Sequence, residues 1–375
     1  MAKDKPKIGN TKASAITRKY PNSGLASEIC IPKEDAIWLP SRNLYINHVL
    51  GGGLLYGRIL EIAGEESSGK TLLSLDFLAV AQSLGGYGMF VDAEHAFTAG
   101  WAETNGVQLD KLYLFPEISV ERIGDWIADI GILLRSKLKN NEPIVLIVDS
   151  TAALDCEANL NSTLVDGKAE MGNRAKAIYT MLRRRNELLD KLGICSIFIN
   201  QLRKKLDAQF QDPDTTPGGQ ALKFYASQRM MIYRGKQINR GSKTHPKRVG
   251  NIVSVRVAKN KVAPPRPSFQ TNVYFSAEAG DTVGFDRYMG LHELFLGLEV
   301  VEKRGNAIYF NDEKVATGMD NFDEVIRENS KLRAKLVSAS GLNTVSKTRR
   351  QLESLTENLY DVVNIQKGGK DDDEG

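Results

Sequence analysis

The chain has 375 residues, of which 42% are hydrophobic and 26% are charged, and its formal net charge is +4. These fractions are those of an ordinary soluble protein with room for one large α/β domain and smaller attachments. This net charge is too small to indicate nucleic-acid binding by itself. A prediction of nucleic-acid binding therefore has to rest on local clusters of cations. Three cysteines without a C-x-x-C pair predict neither a disulfide framework nor a zinc site.

We expect a cytoplasmic protein, because the N-terminus lacks the apolar core of a signal peptide and no apolar run approaches ~20 residues. Residues 1–35 are polar and basic, with a short predicted helix over Thr11–Tyr20 that Pro21–Gly24 ends. This segment is too short to form a core of its own. A disordered tail and an arm that docks on another surface are both open interpretations.

The eight residues from Gly64 to Thr71 match the P-loop pattern G-x-x-x-x-G-K-[ST] at every fixed position. A short apolar strand, Ile59–Ala63, precedes them and an apolar helical pattern follows, which is the context that the motif requires. Lys70 is predicted to supply a charge to the outer phosphates of a nucleotide, and Thr71 a hydroxyl to Mg²⁺. The backbone N–H groups predicted to face the phosphates are those of Gly64, Glu65, Glu66, Ser67, Ser68 and Gly69.

After the P-loop, apolar runs alternate with helical periodicity. The β-branched run Ile144–Val148 is typical of a strand covered on both faces. This βαβ repetition predicts an α/β fold with a mostly parallel central sheet, helices on both faces and ligands at the carboxyl ends of the strands. The predicted strands are Gly88–Asp92, Leu112–Phe115, Ile144–Val148 and Ile194–Ile199, and the predicted helices are Val120–Leu138 and Ile178–Leu192.

From about residue 228 the pattern changes, because three predicted strands follow one another without helices: Met230–Tyr233, Val253–Val257 and Phe269–Phe275. We interpret them as antiparallel additions to the edge of the sheet. Residues 281–365 are predicted to form a small α+β domain, with helices around Tyr288–Leu298 and Phe322–Leu336. Residues 366–375 are interpreted as an acidic, disordered tail.

Polar residues end the predicted parallel strands, where a ligand would bind. Asp149 follows the buried run and can reach a magnesium ion beside the P-loop. Asp92 and Glu94 both remain candidates for the carboxylate that polarises the water attacking a γ-phosphate. The Gln201 amide can hydrogen-bond a phosphate oxygen and so report its presence.

Two segments, 155–173 and 202–219, are long for connections inside an α/β domain, and such loops are usually functional. The second combines cations, hydroxyls, glycines and Phe210, which suits contact with a phosphate backbone and insertion between bases. A mobile solvated loop is the alternative. Lys259 and Lys261, predicted to lie on a tight turn, are either a solvated basic turn or a functional pair.

Together these segments resemble the bacterial RecA recombinases, in the same order and with similar spacing over roughly residues 36–280. The similar blocks are Gly64–Thr71, Val91–Ala96, Val148–Ser150, Asn200–Arg203, Thr215–Ser227 and Lys259–Lys261. The resemblance implies a RecA-type P-loop core that uses ATP and Mg²⁺, polymerises on single-stranded DNA and exchanges strands with a homologous duplex. It also implies a polymerisation arm at residues 1–35, and partner proteins that bind single strands or load the filament.

The resemblance implies residue roles as well. Glu94 becomes the preferred catalytic base, with Lys70 and Gln201 acting on the phosphates. Thr71 and Asp149 hold the metal, and Lys259 and Lys261 reach the ATP of a neighbouring subunit, which implies a head-to-tail interface. The implied DNA-binding residues, on a first loop at 156–172, the helix after it and a second loop at 202–219, are Met171, Gly172, Lys176, Arg183, Arg203, Phe210, Thr215, Thr216, Gly218 and Gly219.

Several positions depart from the family pattern. Glu65 stands where a proline is usual, and Thr98 and Trp101 stand where the family has an adenine-contacting aspartate and tyrosine, although Trp101 keeps an aromatic face for stacking. The first loop and the arm also diverge, which fits a divergent, phage-encoded recombinase. Two other functions stay open: a hexameric RecA-fold motor or helicase, and an accessory ATP- and DNA-binding module without strand exchange.

Overall fold

The fold is that of a computed structural model, which describes residues 36–139, 141–162, 170–204, 214–242, 244–276 and 282–355. The strands are β1 (Trp38–Leu39), β2 (Leu54–Leu55), β3 (Ile59–Gly64), β4 (Tyr87–Asp92), β5 (Leu112–Phe115), β6 (Ile144–Asp149), β7 (Ile194–Gln201), β8 (Arg203–Lys204), β9 (Asp214–Thr215), β10 (Gln228–Ser242), β11 (His245–Asn260), β12 (Phe269–Tyr274), β13 (Gly284–Phe285), β14 (Glu302–Arg304), β15 (Ala307–Phe310) and β16 (Glu313–Thr317). The helices are α1 (Leu44–Leu50), α2 (Lys70–Ser83), α3 (Ala99–Thr104), α4 (Val120–Lys137), α5 (Glu157–Leu160), α6 (Glu170–Lys191), α7 (Ala221–Tyr225), α8 (Leu291–Gly297), α9 (Met319–Glu328), α10 (Ser330–Ser340) and α11 (Val345–Ser354).

Nine strands form one sheet in the order β13-β12-β11-β10-β3-β7-β6-β4-β5. The strands from β3 to β5 in that order are mutually parallel, which confirms the α/β class that the apolar runs predicted. Their side chains alternate between the faces of the sheet. Leu146 and Val148 belong to the core beneath α4 and α6, so Val145 and Ile147 face the opposite side. Because these strands run in the same direction, their carboxyl ends all lie at the same edge of the sheet.

The strands after residue 228 are only partly as predicted. β11, β12 and β13 are antiparallel additions, but β10 runs parallel to β3, so the prediction is wrong for that strand. The chain leaves β7, and α7 returns it to the starting end of the sheet before β10 begins, which makes the connection a crossover. β10 and β11 then continue as one long hairpin, well beyond their predicted cores.

The predicted helix over Phe322–Leu336 is two helices, α9 and α10, that meet at Asn329. The Asn329 side chain accepts the backbone N–H of Leu332 at 3.0 Å and so caps α10. The apolar periodicity continues across this break, so the pattern alone predicts one helix. Strands β14 to β16 form a separate three-stranded sheet before these helices. The domain boundaries at 36–280 and 281–365 stay a proposal. The arm at 1–35 and the tail at 366–375 lie outside the described residues.

Both predicted long loops contain regular structure. The segment 155–173 holds α5 and the first turn of α6, so α6 begins well before Ile178. In the segment 202–219, β8 and β9 pair as antiparallel strands with Arg203 opposite Thr215. Residues 163–169 and 205–213, including Phe210, lie outside the described residues. Within the described ranges, no helix combines the length and the apolarity needed to cross a membrane.

Candidate nucleotide site and DNA-facing loops

The P-loop joins β3 to α2 at the carboxyl edge of the sheet. A Cβ on Gly64 would lie 2.5 Å from Ser68 Oγ, and Gly69 has φ +91°, so both positions favour glycine. Ser68 Oγ is buried and has no hydrogen-bond partner in the described part of the chain. Lys70 Nζ donates to the carbonyl oxygens of Gly64 and Glu65 at 3.2 and 2.8 Å. The loop therefore curls around its own lysine.

The charge balance of this loop fits a phosphate ligand. Burial lowers the pKa of Lys70, against the opposing influence of Asp149 and Glu94. Carbonyl oxygens bind the ammonium but carry no net charge, and the buried Ser68 hydroxyl lacks a partner. A nucleotide phosphate would supply acceptors to both groups. The residues present therefore fit the phosphates of a nucleotide.

Thr71 and Asp149 form the candidate metal site. Thr71 Oγ1 donates to Asp149 Oδ2 at 2.7 Å, because β6 ends beside the first turn of α2. Burial raises the pKa of Asp149 to about 6, although the hydrogen bond from Thr71 acts in the opposite direction. A hydroxyl and a carboxylate beside a phosphate site are oxygen ligands of the kind that Mg²⁺ binds. These two residues therefore fit as magnesium ligands.

The structure separates the two carboxylates that follow β4. Asp92 is buried, and its two oxygens accept the backbone N–H groups of Ala96 and Phe97 at 2.9 and 3.1 Å. Glu94 is exposed and accepts a hydrogen bond from the hydroxyl of Ser150, which follows β6. Asp92 thus holds the local backbone, whereas Glu94 remains accessible to water. The geometry favours Glu94 as the candidate base.

A cleft of about 340 Å³ opens beside the P-loop and includes Trp101. Two of its lining residues, Arg248 and Phe275, were not among the candidates from sequence. The Arg248 guanidinium lies 5.9 Å from the Phe275 ring centre and donates to Asn251 Oδ1 at 2.7 Å. Asn251 Nδ2 in turn donates to Ser67 O at 3.1 Å, which joins β11 to the P-loop. Two aromatic residues, Trp101 and Phe275, and the cation of Arg248 thus border this cleft.

Glu65, which replaces the usual proline, contacts β10. Its carboxylate accepts the backbone N–H of Arg234 at 3.2 Å. The Arg234 guanidinium donates to Glu66 O at 3.3 Å. Parallel pairing of β10 with β3 brings these residues together, since Ile232 lies opposite Gly64 in the register. The departure from the family pattern therefore adds a contact between the P-loop and the long hairpin.

Gln201 lies at the carboxyl end of β7, next to the P-loop. It is the register partner of Gly64, and Leu202 N donates to Gly64 O at 3.2 Å. Gln201 and Arg203 are both exposed. The strand that flanks the P-loop therefore leads without interruption into the second loop.

The far end of the second loop packs on α6. A Cβ on Gly219 would lie 3.0 Å from Ala175 Cβ, and one on Gly218 would lie 3.4 Å from Ile178 Cδ1. Thr215 is half-buried and Thr216 is buried, with 7% of its surface exposed. Most of the Thr216 residue is therefore covered by the rest of the protein in this structure.

Helix α6 carries the remaining candidates for DNA contact. Met171 and Gly172 lie in its first turns. Lys176 and Arg183 are exposed and seven residues apart, which puts them on one face of the helix. Because Gly219 packs against Ala175, this basic face lies beside the second loop.

Lys259 and Lys261 lie far from the P-loop of the same chain. Lys259 is a residue of β11, not of a turn, because its register partner Arg229 still belongs to the β10–β11 ladder. Arg229 pairs with Glu61, three residues before Gly64, so the lysines lie about 10 Å down the sheet. Lys259 Nζ donates to Phe224 O at 3.1 Å. Burial and the nearby Lys261 lower the pKa of Lys259.

A family model for the RecA N-terminal domain matches residues 14–279. The chain belongs to the RecA family. It is 35% identical to protein RecA of Rubrobacter xylanophilus over 337 residues, which cover 90% of this chain and 92% of that protein. It is 38% identical to protein RecA 2 of Myxococcus xanthus over 295 residues, or 78% of this chain and 77% of that one. Protein RecA of Treponema pallidum is 34% identical over 311 residues, or 82% and 72%.

Sequence reasoning missed several residues of this RecA-family site. Ser150 follows the predicted metal-binding aspartate directly, and a hydroxyl at that position was a signal available from the sequence. Arg248 and Asn251 gave no such signal, since 184 residues separate Asn251 from its partner Ser67. Only the pairing of β10 and β11 with the parallel strands brings them to the nucleotide cleft.

Proposed function

We propose that this RecA-family chain is a DNA-dependent ATPase that forms a filament on single-stranded DNA and catalyses homologous pairing and strand exchange. ATP and Mg²⁺ are the proposed cofactors. The proposed partners are single- and double-stranded DNA, further copies of the chain, and proteins that bind single strands or load the filament. Family membership supports the coarser statement that the chain is a recombination ATPase.

The continuity of β7 with the second loop carries the proposal. Gln201 lies opposite Gly64, and Leu202 donates to the Gly64 carbonyl. A shift of Gln201 toward a bound phosphate would move Arg203 with it, because one residue separates them. Occupancy of the nucleotide site would thereby be transmitted to a loop rich in cations and glycines.

The chain's own residues have separate roles in hydrolysis. Lys70 and the P-loop N–H groups hold the phosphates, and Thr71 and Asp149 would hold Mg²⁺, which would neutralise phosphate charge. Glu94, fixed by the Ser150 hydroxyl, orients the attacking water and accepts its proton. Trp101 and Phe275 border the base.

The position of Lys259 and Lys261 supports a site shared between subunits. Both lie toward the starting end of β3, away from the P-loop: Lys259 is level with Glu61, and Lys261 N donates to Ser227 O beside Ile59. A single chain therefore does not bring them to its own phosphates. In a head-to-tail assembly that end would face the P-loop of the next subunit. A head-to-tail interface whose rotation does not close into a ring gives an open helical filament, which is the form proposed here.

The test combines ATP hydrolysis with electron microscopy of the full chain. We expect single-stranded DNA to stimulate hydrolysis, extended helical filaments to form with ATP, and strands to be exchanged with a homologous duplex only. Lys70→Ala serves as the control without nucleotide binding. Closed rings that unwind duplexes would indicate a motor instead, and DNA binding without any exchange would indicate an accessory module; either result contradicts the proposal.

A further inference from the structure

A second cleft, of about 770 Å³, lies where the C-terminal helices α10 and α11 meet the core. It is separate from the nucleotide cleft, with which it shares no lining residue. None of the described residues that line it is acidic. Its cationic side chains are Arg42, Arg287, Arg333, Lys347 and Arg350. An excess of one charge sign in a concave site raises the local concentration of counter-ions.

The walls of this cleft are fixed parts of the fold. On α11, Thr348 Oγ1 donates to the carbonyl of Trp38 at 2.9 Å, and both Thr348 and Leu352 are buried. Asn343, in the preceding turn, donates to Gly52 O at 2.9 Å. Helix α11 is therefore anchored to the core, and it holds Lys347 and Arg350 over the cleft.

Little of the positive charge is neutralised from within. Arg42 has an ion pair with Asp76. Arg333 donates to backbone carbonyls at the end of α9, and Lys347 donates to Gly341 O at 3.3 Å; carbonyl oxygens leave both charges in place. Within the described ranges, no ion pair is formed by Arg287. Burial and the neighbouring Arg42 lower the pKa of Arg287, against the opposing influence of Asp76, as expected for a half-buried cation beside another cation.

Hydroxyl groups complete the chemistry of the cleft. Ser330, Ser338, Thr344 and Ser346 line it together with the five cations. Hydroxyl and cationic donors without a carboxylate match a ligand made of acceptor oxygens, and several phosphate groups supply the charge that five cations call for. The volume lies within the range of small-molecule sites.

We propose that this cleft binds a small anion with several phosphate groups, such as an inorganic oligophosphate or the polyphosphate chain of a nucleotide. The phosphates, not a base, are recognised. Tyr288 is the aromatic residue of the lining, and its ring already has two cation–π contacts, with the guanidinium carbons of Arg327 and Arg333 at 5.1 and 5.2 Å from its centre. A base that stacked on this ring would have to compete with these two cations. Because the ligand would bridge α10, α11 and the core, its binding would stabilise their association.

The experiment uses full-length protein with Lys70→Ala, which silences the P-loop, and titrates it calorimetrically with sodium tripolyphosphate at constant ionic strength. We expect saturable binding that weakens about 10-fold or more in the Lys347→Gln/Arg350→Gln variant. Both side chains are exposed, so the substitutions leave folding intact. The matched control is Lys331→Gln/Lys335→Gln, which removes the same charge from α10 at positions outside the cleft. We expect it to change the affinity less than about 2-fold.

Further titrations test whether the phosphate groups alone are recognised. Nucleoside triphosphates with different bases should bind with affinities similar to tripolyphosphate, and adenosine should not bind. If tripolyphosphate binding weakened equally in the two double variants, the loss of affinity would reflect net charge and not the cleft. That result would overturn the proposal. The proposal would also fail if tripolyphosphate bound no better than single phosphate ions, or if the Lys347→Gln/Arg350→Gln variant lost affinity only for DNA.

Discussion

The hydroxyl of Thr71 donates a 2.7 Å hydrogen bond to the carboxylate of Asp149, 78 residues further along the chain. The two residues come from the first turn of α2 and the last position of β6, and the parallel sheet brings them together. Burial raises the Asp149 pKa to about 6, so the pair lies in a setting where a cation would be favoured. The same edge of the sheet also carries Glu94 and Gln201.

The Glu94→Gln substitution tests the candidate base. Glutamine keeps the size of the side chain and an acceptor for the Ser150 hydroxyl, but it does not accept a proton from water. We expect turnover of ATP to fall about 10²- to 10⁴-fold with nearly unchanged nucleotide affinity. Single-turnover hydrolysis and titration with a fluorescent nucleotide measure the two effects. Glu66→Gln, an exposed P-loop position, is the control; hydrolysis by Glu94→Gln at the control's rate would exclude Glu94 as the base.

The Gly64→Ala substitution tests the packing of the P-loop. The added Cβ would lie 2.5 Å from Ser68 Oγ and 2.8 Å from the Ile232 carbonyl, so the loop has to shift. We expect a loss of about 2 kcal/mol in the free energy of unfolding, together with loss of nucleotide binding. Urea denaturation gives the first quantity. Gly100→Ala, whose Cβ meets no atom within 4 Å, should be neutral or slightly stabilising. A similar loss at both glycines would contradict the steric argument.

Glu61 and Arg229 form a buried ion pair, so the effects of substituting them on the free energy of unfolding should be strongly coupled. Glu61 is fully buried on β3, contacts the Arg229 guanidinium on β10, and accepts Asn200 Nδ2 at 3.0 Å. Arg229→Met leaves the carboxylate without its counter-ion, and we expect a loss of about 3 to 5 kcal/mol. The double variant Glu61→Gln/Arg229→Met should recover most of it. A double-mutant cycle by urea unfolding measures the coupling, and simple additivity of the two single changes would disprove it.

His48 should make stability depend on pH. Burial, and secondarily Arg266, lowers its pKa to about 4 in the folded protein. The unfolded chain takes up a proton near pH 6.5, whereas the folded state resists it, so stability falls as the pH drops from 6.5 and the loss levels off below about 4. We expect a loss of about 1 to 3 kcal/mol from this residue, allowing for its partial exposure. The difference between wild type and His48→Gln, measured by urea unfolding at several pH values, isolates it. Parallel pH profiles for the two proteins would refute the assignment.

Arg203 should contribute one phosphate contact at the start of the second loop. It is exposed directly after the strand that flanks the P-loop. We expect Arg203→Ala to weaken single-stranded DNA binding and to reduce the slope of log K against log salt by about 0.7. Fluorescence anisotropy at several salt concentrations measures that slope. Arg304→Ala, on β14 and ion-paired with Glu302 and Asp312, is the control. An unchanged slope for Arg203→Ala would remove this residue from the DNA path.

Pattern reasoning reached the α/β class, the parallel strands and the residues of the P-loop because each depends on local features. Apolar runs define buried strands, and the glycine spacing of Gly64 and Gly69 reflects local steric limits. The sequence pattern did not predict the break at Asn329, because helical periodicity continues across it and the cap depends on one side chain. The parallel direction of β10 was not predicted, because strand direction depends on the path of the preceding crossover connection.

The amino-acid sequence by itself determined the P-loop motif, the family resemblance and the set of polar residues that end the strands. Only the tertiary structure decided which of these residues act together. It turned Asp92 toward its own backbone and left Glu94 accessible, and it placed Lys259 level with Glu61 in the middle of β3, away from the P-loop. It also gathered Arg287 and Arg350, which lie on separate elements, around one cleft. The physical reason is that a local sequence pattern reflects the conformational preference of one segment. The pairing of distant strands and the docking of helices set the distances between side chains, and charge interactions and hydrogen bonds depend on those distances.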